Sequence, residues 1–170
     1  DSNTRECVLP QLITESKAMT QAKVISIEAS DTNKNIESLM LIWTQLVEGG
    51  ATRKSMMINL GGGVVTDIGG FAGATFKRGI RFVNIPTTLL SAVDAAVGGK
   101  TGINFHGFKN EIGAFCEAEA VIISTRFLEA LSSEELLSGY AEMLKHGLIS
   151  NVDTYNRLLA KDVANIDTEE

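Results

Sequence analysis

Hydrophobic and polar positions along the chain repeat with two periods, one near four residues and one near two. Within residues 4–18, Val8, Leu9, Leu12 and Ile13 fall on one helical stripe. Lys23 to Ala29 alternates and carries Val24, Ile25 and Ile27, which predicts a short strand. Asn35 to Glu48 predicts a helix with Ile36, Leu39, Met40, Trp43, Leu46 and Val47 inward. Asp31 or Thr32 is its candidate cap, and Gly49-Gly50 closes it, because glycine tolerates the left-handed conformation at a helix end. Met56 to Leu60 reads as a second strand, and a helix beginning near Asp67 turns Ile68, Phe71, Ala72 and Thr75 inward. Ile80 to Ile85 is a third strand, ended by Pro86, which has no N–H for the ladder. A short helix is expected over Leu89 to Val97, then an irregular stretch from Gly98-Gly99 to Phe108. Ala120 to Ser124 is an apolar run of the kind buried in a parallel sheet.

Strand and helix alternate throughout, which predicts an α/β doubly wound sheet. From Ser132 the pattern changes. Ser132 with Glu135 forms a capping box, and Leu136, Leu137, Tyr140, Met143 and Leu144 make a helical stripe up to Gly147. A further helix begins near Asn151 and runs past Leu158 and Leu159, and no strand signal follows residue 124. The expected division is therefore a nucleotide-binding unit over 1–132 and the start of a helical unit over 133–170. A lone helix pair leaves an apolar face uncovered, and Asp1-Ser2-Asn3 is not a normal start, so the chain is expected to be cut from a longer one.

Both glycine clusters, Gly61-Gly62-Gly63 and Gly98-Gly99, stand at element ends. A strand passing through a glycine turn into a helix aims bare N–H groups and the positive helix end at one point, an arrangement that suits a phosphate or pyrophosphate. Arg78, Lys100 and Lys109 add cations nearby in sequence, Asp67 and Asp94 add carboxylates, and Thr87 and Thr88 follow Pro86. The first cluster is not the usual dinucleotide fingerprint: its register is G-x-G-x-x-Thr, with Thr66 in the last glycine's place. The Gly-Lys-Thr at Gly99–Thr101 is no P-loop, because Asp94 occupies the position where the first P-loop glycine belongs.

Composition narrows the choice of partners. Hydrophobic residues make up 44% and charged residues 21%, as in a globular protein able to bury a core. A formal net charge of −6 argues against nucleic acid as the main partner, yet local cations can still hold a small anion. Cys7 and Cys116 lack metal-binding spacing and read as free thiols. No signal peptide opens the chain and no run approaches ~18 apolar residues, so a cytoplasmic location without a membrane partner is expected. Glu142 and Lys145 share one helix face, as surface ion pairs commonly do. His106 and His146 are the only histidines, so no complete metal site is encoded by spacing alone.

Four stretches together, GGGVVTDIGGFAGATFKRG, IPTTLLSAVDAAVGGKTGIN, KNEIGAF and GYAEMLKHG, resemble the 3-dehydroquinate synthases over residues 1 to about 158. That resemblance implies a Rossmann-like N-terminal domain, an α-helical C-terminal domain, and an active site between them. It implies NAD, one divalent metal (zinc or cobalt), and a homodimer. The implied reaction converts 3-deoxy-D-arabino-heptulosonate 7-phosphate into 3-dehydroquinate and phosphate, with NAD regenerated each turn. By the same resemblance Asp1, Asn3, Asp31 and Lys34 sit near the adenosine end. Gly62, Gly63, Val64 and Asp67 hold the pyrophosphate and ribose, and Thr87, Thr88 and Leu131 line the cofactor. Asp94, Lys100, Lys109, Asn110 and Lys145 face substrate or nicotinamide, Arg78 faces the substrate phosphate, within the chain or across the dimer, and Glu142 is a metal ligand.

The chain departs from the family pattern at Asp31 (usually Glu), Ala130 (often Thr), Ser132 (usually Pro) and His146 (often Tyr). The family's two metal-binding histidines have no counterpart among these residues, so the chain alone is expected to be inactive. Three other readings share parts of the pattern: another sugar phosphate cyclase, an NAD-dependent glycerol-type alcohol dehydrogenase, and a non-catalytic NAD-binding module.

Overall fold

A computed structural model of the chain describes residues 1–160; positions 161–170 of the expected helical unit lie outside the described residues. Two short helices, α1 (Ser2–Cys7) and α2 (Leu9–Glu15), are followed by α3 (Ile36–Glu48). Next come β1 (Met56–Gly61), α4 (Gly63–Thr75) and β2 (Arg81–Pro86). A π-helical turn over Ser91–Ala95 leads to β3 (Lys100–Phe105) and β4 (Phe108–Phe115). The short β5 (Ala120–Val121) precedes α5 (Ser133–Ser150) and α6 (Val152–Leu159).

β1 and β2 pair in parallel from Met56↔Arg81 to Gly61↔Pro86, with α4 as the crossover between them, and β5 extends the sheet on the far side of β2. β3 and β4 form a separate antiparallel hairpin laid against α4. The core gathers Ile27, Leu39, Ile42, Ile68, Phe71, Ala72 and Ile103, so α3, α4 and the hairpin share it. α4 is apolar nearly all round, as a helix covered on two sides must be. Its approach to β1 depends on Gly69, where a Cβ would stand 2.2 Å from Asn59 Oδ1. Asn59 is buried and donates to Asn84 Oδ1 at 2.9 Å; Asn84 in turn donates to the Ala96 carbonyl at 3.1 Å. This polar chain pins the turn after β2 to the middle of the sheet, where unpaired amides cost about 1–3 kcal/mol each.

Several expectations are corrected. Lys23–Ala29 is extended but carries no ladder; a cavity of about 440 Å³, lined by Ile25, Ile27, Met57 and Ile58 among others, separates it from β1. Alternation reports which face is buried, not whether a neighbour supplies hydrogen bonds. The cap of α3 is Asn35, whose Oδ1 accepts from Ser38 N–H at 2.9 Å, while Asp31–Asn33 forms its own 3₁₀ turn. Met40 and Val47 are exposed and Ile42 is buried instead, since the inward stripe runs through Leu39, Ile42 and Leu46. α4 starts at Gly63, four residues before Asp67.

The stretch expected to be irregular is the β3–β4 hairpin. Its turn is His106-Gly107, both at positive φ (49° and 84°), the requirement that Asn-Gly usually announces in sequence. Only Ala120 and Val121 of the apolar run join the sheet; Ile122 and Ile123 are exposed. α5 continues through Gly147 to Ser150, because Gly147 is a close-packing point against Tyr155 of α6 rather than a stop.

Candidate active site

β1 delivers the chain to a turn at the carboxyl end of the sheet, where ligands of open α/β sheets bind. Gly62 caps α4 without a side chain, and the N–H groups of Val65 and Thr66 fold back on its carbonyl at 3.0 and 3.1 Å. The first-turn N–H groups of Gly63 and Val64 are left without a capping acceptor, which makes them anion donors. Beside them Thr87 N–H donates to the Gly61 carbonyl at 3.0 Å, and a Cβ on Gly62 would stand 3.2 Å from Thr88 Cγ2. Thr88 Oγ1 donates to Ser91 Oγ at 2.9 Å and accepts from Ser91 N–H at 3.2 Å, which starts the π-helical turn that carries Asp94. The turn is open, with Gly62, Gly63 and Val64 all partly exposed.

One helical turn on, Asp67 meets Lys34. Nζ of Lys34, 7% exposed, donates to Asp67 Oδ2 at 2.8 Å and also to Asn110 Oδ1 of the hairpin. Burial raises the Asp67 carboxyl above its ordinary value of 3.8; the Lys34 hydrogen bond opposes the rise, and the negative charges of Asp94 and Asp31 add to it. At the rim Lys109 pairs with Asp31 at 3.0 Å. Asn104 of β3 ties these segments together: its N–H donates to the Lys34 carbonyl at 2.7 Å and its Nδ2 to the Asp31 carbonyl at 3.1 Å. Its Oδ1 accepts from Asn110 N–H at 3.0 Å.

α5 closes the other side. Its capping box, Ser132 with Glu135, is formed. Gly139 packs against Leu89, where a Cβ would stand 2.5 Å from Leu89 Cβ. One turn further, Glu142 pairs with Lys145, and His146 Nε2 lies 3.6 Å from Glu142 Oε1 and 3.8 Å from Asp94 Oδ1. Asp94, Glu142 and His146 offer ligand atoms that all lie within 4.8 Å of one another. Two carboxylates and an imidazole are a donor set that suits zinc or cobalt. Lys145 Nζ, 4.0 Å from Asp94, competes for the same carboxylates.

Most of the predicted site residues are thus drawn to one end of the sheet: Gly62, Gly63, Val64, Asp67, Thr87, Thr88, Asp31, Lys34, Lys109, Asn110, Asp94, Glu142 and Lys145. Arg78 does not join them within this chain. It follows the far end of α4, about 20 Å from the glycine turn at 1.5 Å rise per residue, and is exposed at φ 69°. Lys100 opens β3, exposed and with no ion pair among the described residues. Asp1 caps α1 by accepting from Thr4 N–H at 3.0 Å, Asn3 is exposed, and Leu131 is half-buried after a 3₁₀ turn. Sequence reasoning missed Asn104, Gly139 and the company of Asp94 and His146 around Glu142. The last two lie 48 and four residues from the glutamate, and only the packing of α5 onto Leu89 unites them.

The chain spans between about a third and a little under half of the length of the curated relatives it matches. It is 54% identical to the 3-dehydroquinate synthase of Parabacteroides distasonis over 96% of this chain and 46% of that protein. It is 49% identical to the 3-dehydroquinate synthase of Pyrococcus abyssi, over 84% and 42%. Among solved structures it resembles the 2-epi-5-epi-valiolone synthase ValA of Streptomyces hygroscopicus, which holds NAD+ and Zn2+. That match has a TM-score of 0.81 and 32% identity over 85% of this chain and 41% of that one. A 2-deoxy-scyllo-inosose synthase shares the fold, with a TM-score of 0.78 at 23% identity over 87% and 42%. Residues 24–138 match the family described as 3-dehydroquinate synthase N-terminal, and the chain belongs to that family.

Proposed function

We propose that this chain is the NAD-binding part of a 3-dehydroquinate synthase, with a domain boundary near residue 132 and the remaining metal ligands supplied from outside the 170 residues. The observation that carries the reading is the uncapped start of α4 at Gly62–Val64, with the Lys34–Asp67 pair one turn below it. Unsatisfied N–H groups at a helix N-terminus hold a diphosphate, and a carboxylate fixed beside them accepts hydrogen bonds from a ribose. Asp31 and Lys34 stand toward the adenosine end, and Asp1 and Asn3 belong to the same side through the Ser2–Ala29 hydrogen bond. Thr87, Thr88 and Leu131 line the cofactor.

Glu142 would hold the divalent metal. The imidazole of His146 beside two carboxylates is a mixed donor set that a divalent metal of the zinc type would accept. NAD, held at the Gly62–Val64 turn, would supply a reversible hydride acceptor, and the metal, held at Glu142, would supply a Lewis acid for the reacting hydroxyl. This chain's own groups position the substrate: Lys100, Lys109, Asn110 and Lys145 face its polar end, and Asp94 orients Lys145 from the π-helical turn. Arg78, remote within one chain, reaches the substrate phosphate of a partner in a homodimer. No helix among the described residues is long and apolar enough to cross a membrane, and a cytoplasmic location is consistent with that.

Phosphate release from the heptulosonate phosphate, measured on the intact enzyme against the substrates of valiolone and inosose synthases, tests the assignment. Preference for either competing sugar phosphate contradicts it, as does net NADH accumulation with glycerol. Turnover by the 170-residue chain alone contradicts the division of ligands.

A further inference from the structure

Resting on that reading and going beyond it, we propose that Asn104 is a positioning residue that locks the hairpin side of the site to the cofactor side. The ladder of β3 and β4 pairs Ile103 with Ile112 and Phe105 with Phe108. One residue on β3, Asn104, therefore faces three on β4: Lys109, Asn110 and Glu111. Such a bulge releases backbone groups from the ladder and re-aims the side chains beside it. Asn110 sits within it at φ 55°, a left-handed conformation that costs a non-glycine residue energy unless local hydrogen bonds support it.

Asn104 supplies that support and more. Its Oδ1 takes the Asn110 N–H, its Nδ2 holds the Asp31 carbonyl, and its own N–H holds the Lys34 carbonyl. Asn110 Oδ1 then meets Lys34 Nζ, and Lys34 meets Asp67. One side chain thus sets the second acceptor of the buried lysine that holds the proposed ribose carboxylate. The same side chain fixes the backbone on which Lys109 and Asn110 present themselves to substrate. A side chain with one donor group and one acceptor is needed to span both segments; an aliphatic residue reaches neither, and an aspartate, which only accepts, reaches the Asn110 N–H alone.

The experiment uses the intact enzyme with Asn104→Ala and Asn104→Asp, Asp67→Ala serving as the control. Calorimetry reads the NAD dissociation constant, and hydrogen exchange reads the amides of Asn110, Thr101 and Ala114, the last two in register on the hairpin. Asn104→Ala is expected to raise the dissociation constant roughly tenfold and to speed exchange at Asn110, while the ladder amides of Thr101 and Ala114 keep their protection. Asn104→Asp keeps the Asn110 bond and is expected to retain protection there, with a smaller loss of affinity. An unchanged dissociation constant in Asn104→Ala, beside a weakened Asp67→Ala, overturns the inference and leaves the cofactor site standing. Equal loss of protection at Thr101 and Ala114 also overturns it, because the residue would then only hold the hairpin together. Absence of NAD binding in the wild type overturns the cofactor reading and this inference with it.

Discussion

Gly139 of α5 lies so close to Leu89 that a Cβ placed on it would stand 2.5 Å from Leu89 Cβ and 2.6 Å from Leu90 N. This contact sets how near Glu142, Lys145 and His146 come to Asp94. The obstruction is backbone as well as side chain, so α5 itself must move to admit a methyl group. Gly139→Ala is expected to cost about 1–3 kcal/mol of stability, as overpacking does. It should also weaken the affinity of the intact enzyme for zinc or cobalt. Denaturant unfolding and metal titration check both; unchanged metal affinity would show that α5 need not sit where it does.

Lys34→Met removes the cation from a nearly buried pair and leaves Asp67 facing low-dielectric surroundings. A loss of about 3 kcal/mol is expected. Asp67→Asn together with Lys34→Met should recover part of it, since a neutral amide needs no counter-charge. A double-mutant cycle in urea measures the coupling, and full additivity of the two changes would contradict the pairing.

Asp67 also gives stability a pH dependence of definite sign. Its folded pKa is raised above 3.8, chiefly by burial, so the folded state favours the protonated acid more than the unfolded state does. Its contribution is most favourable below pH ~3.8 and is lost as pH rises through the folded value. Melting temperatures of wild type and Asp67→Asn, compared from pH 3.5 to 7 at about half-unit steps, should therefore diverge against the wild type as pH rises. A difference that moves the opposite way would mean that the Lys34 bond outweighs burial.

The buried amides Asn59 and Asn84 hold the turn that carries Asp94. Asn84→Ala strands Asn59 Nδ2 and the Ala96 carbonyl and should cost about 2 kcal/mol. Crystallography of the variant should show the Ser91–Ala95 turn displaced while β1 and β2 keep their register.

Sequence patterns carried the parallel β-α-β unit from Met56 to Pro86, because its strands are mainly apolar, broken only at Asn59, Arg81 and Asn84, and its crossover helix keeps a helical period. They carried the glycine turn for the same local reason. They did not carry the hairpin over residues 100–115, whose turn residues are His106-Gly107 and whose strands mix Gly102, Asn104, Lys109 and Asn110 with apolar positions. Nor did they reveal that Lys23–Ala29 lies unpaired, since ladder partners are a long-range property. The grouping of Asp94 with Glu142 and His146 was hidden for a related reason: it exists only because Gly139 admits α5 onto Leu89. Contacts set by one helix against a distant turn leave no periodic trace.

The account rests on NAD's diphosphate lying on the turn at the start of α4. Titrating NAD into intact enzyme with nitrogen-labelled glycine and valine, and following the amide resonances, tests this most directly. Gly62, Gly63 and Val64 should shift together and saturate at one stoichiometric site, and adenosine, which lacks the diphosphate, should leave them nearly unmoved. Shifts gathered at Gly98, Gly99 and Gly107 instead, with the α4 turn silent, would contradict it.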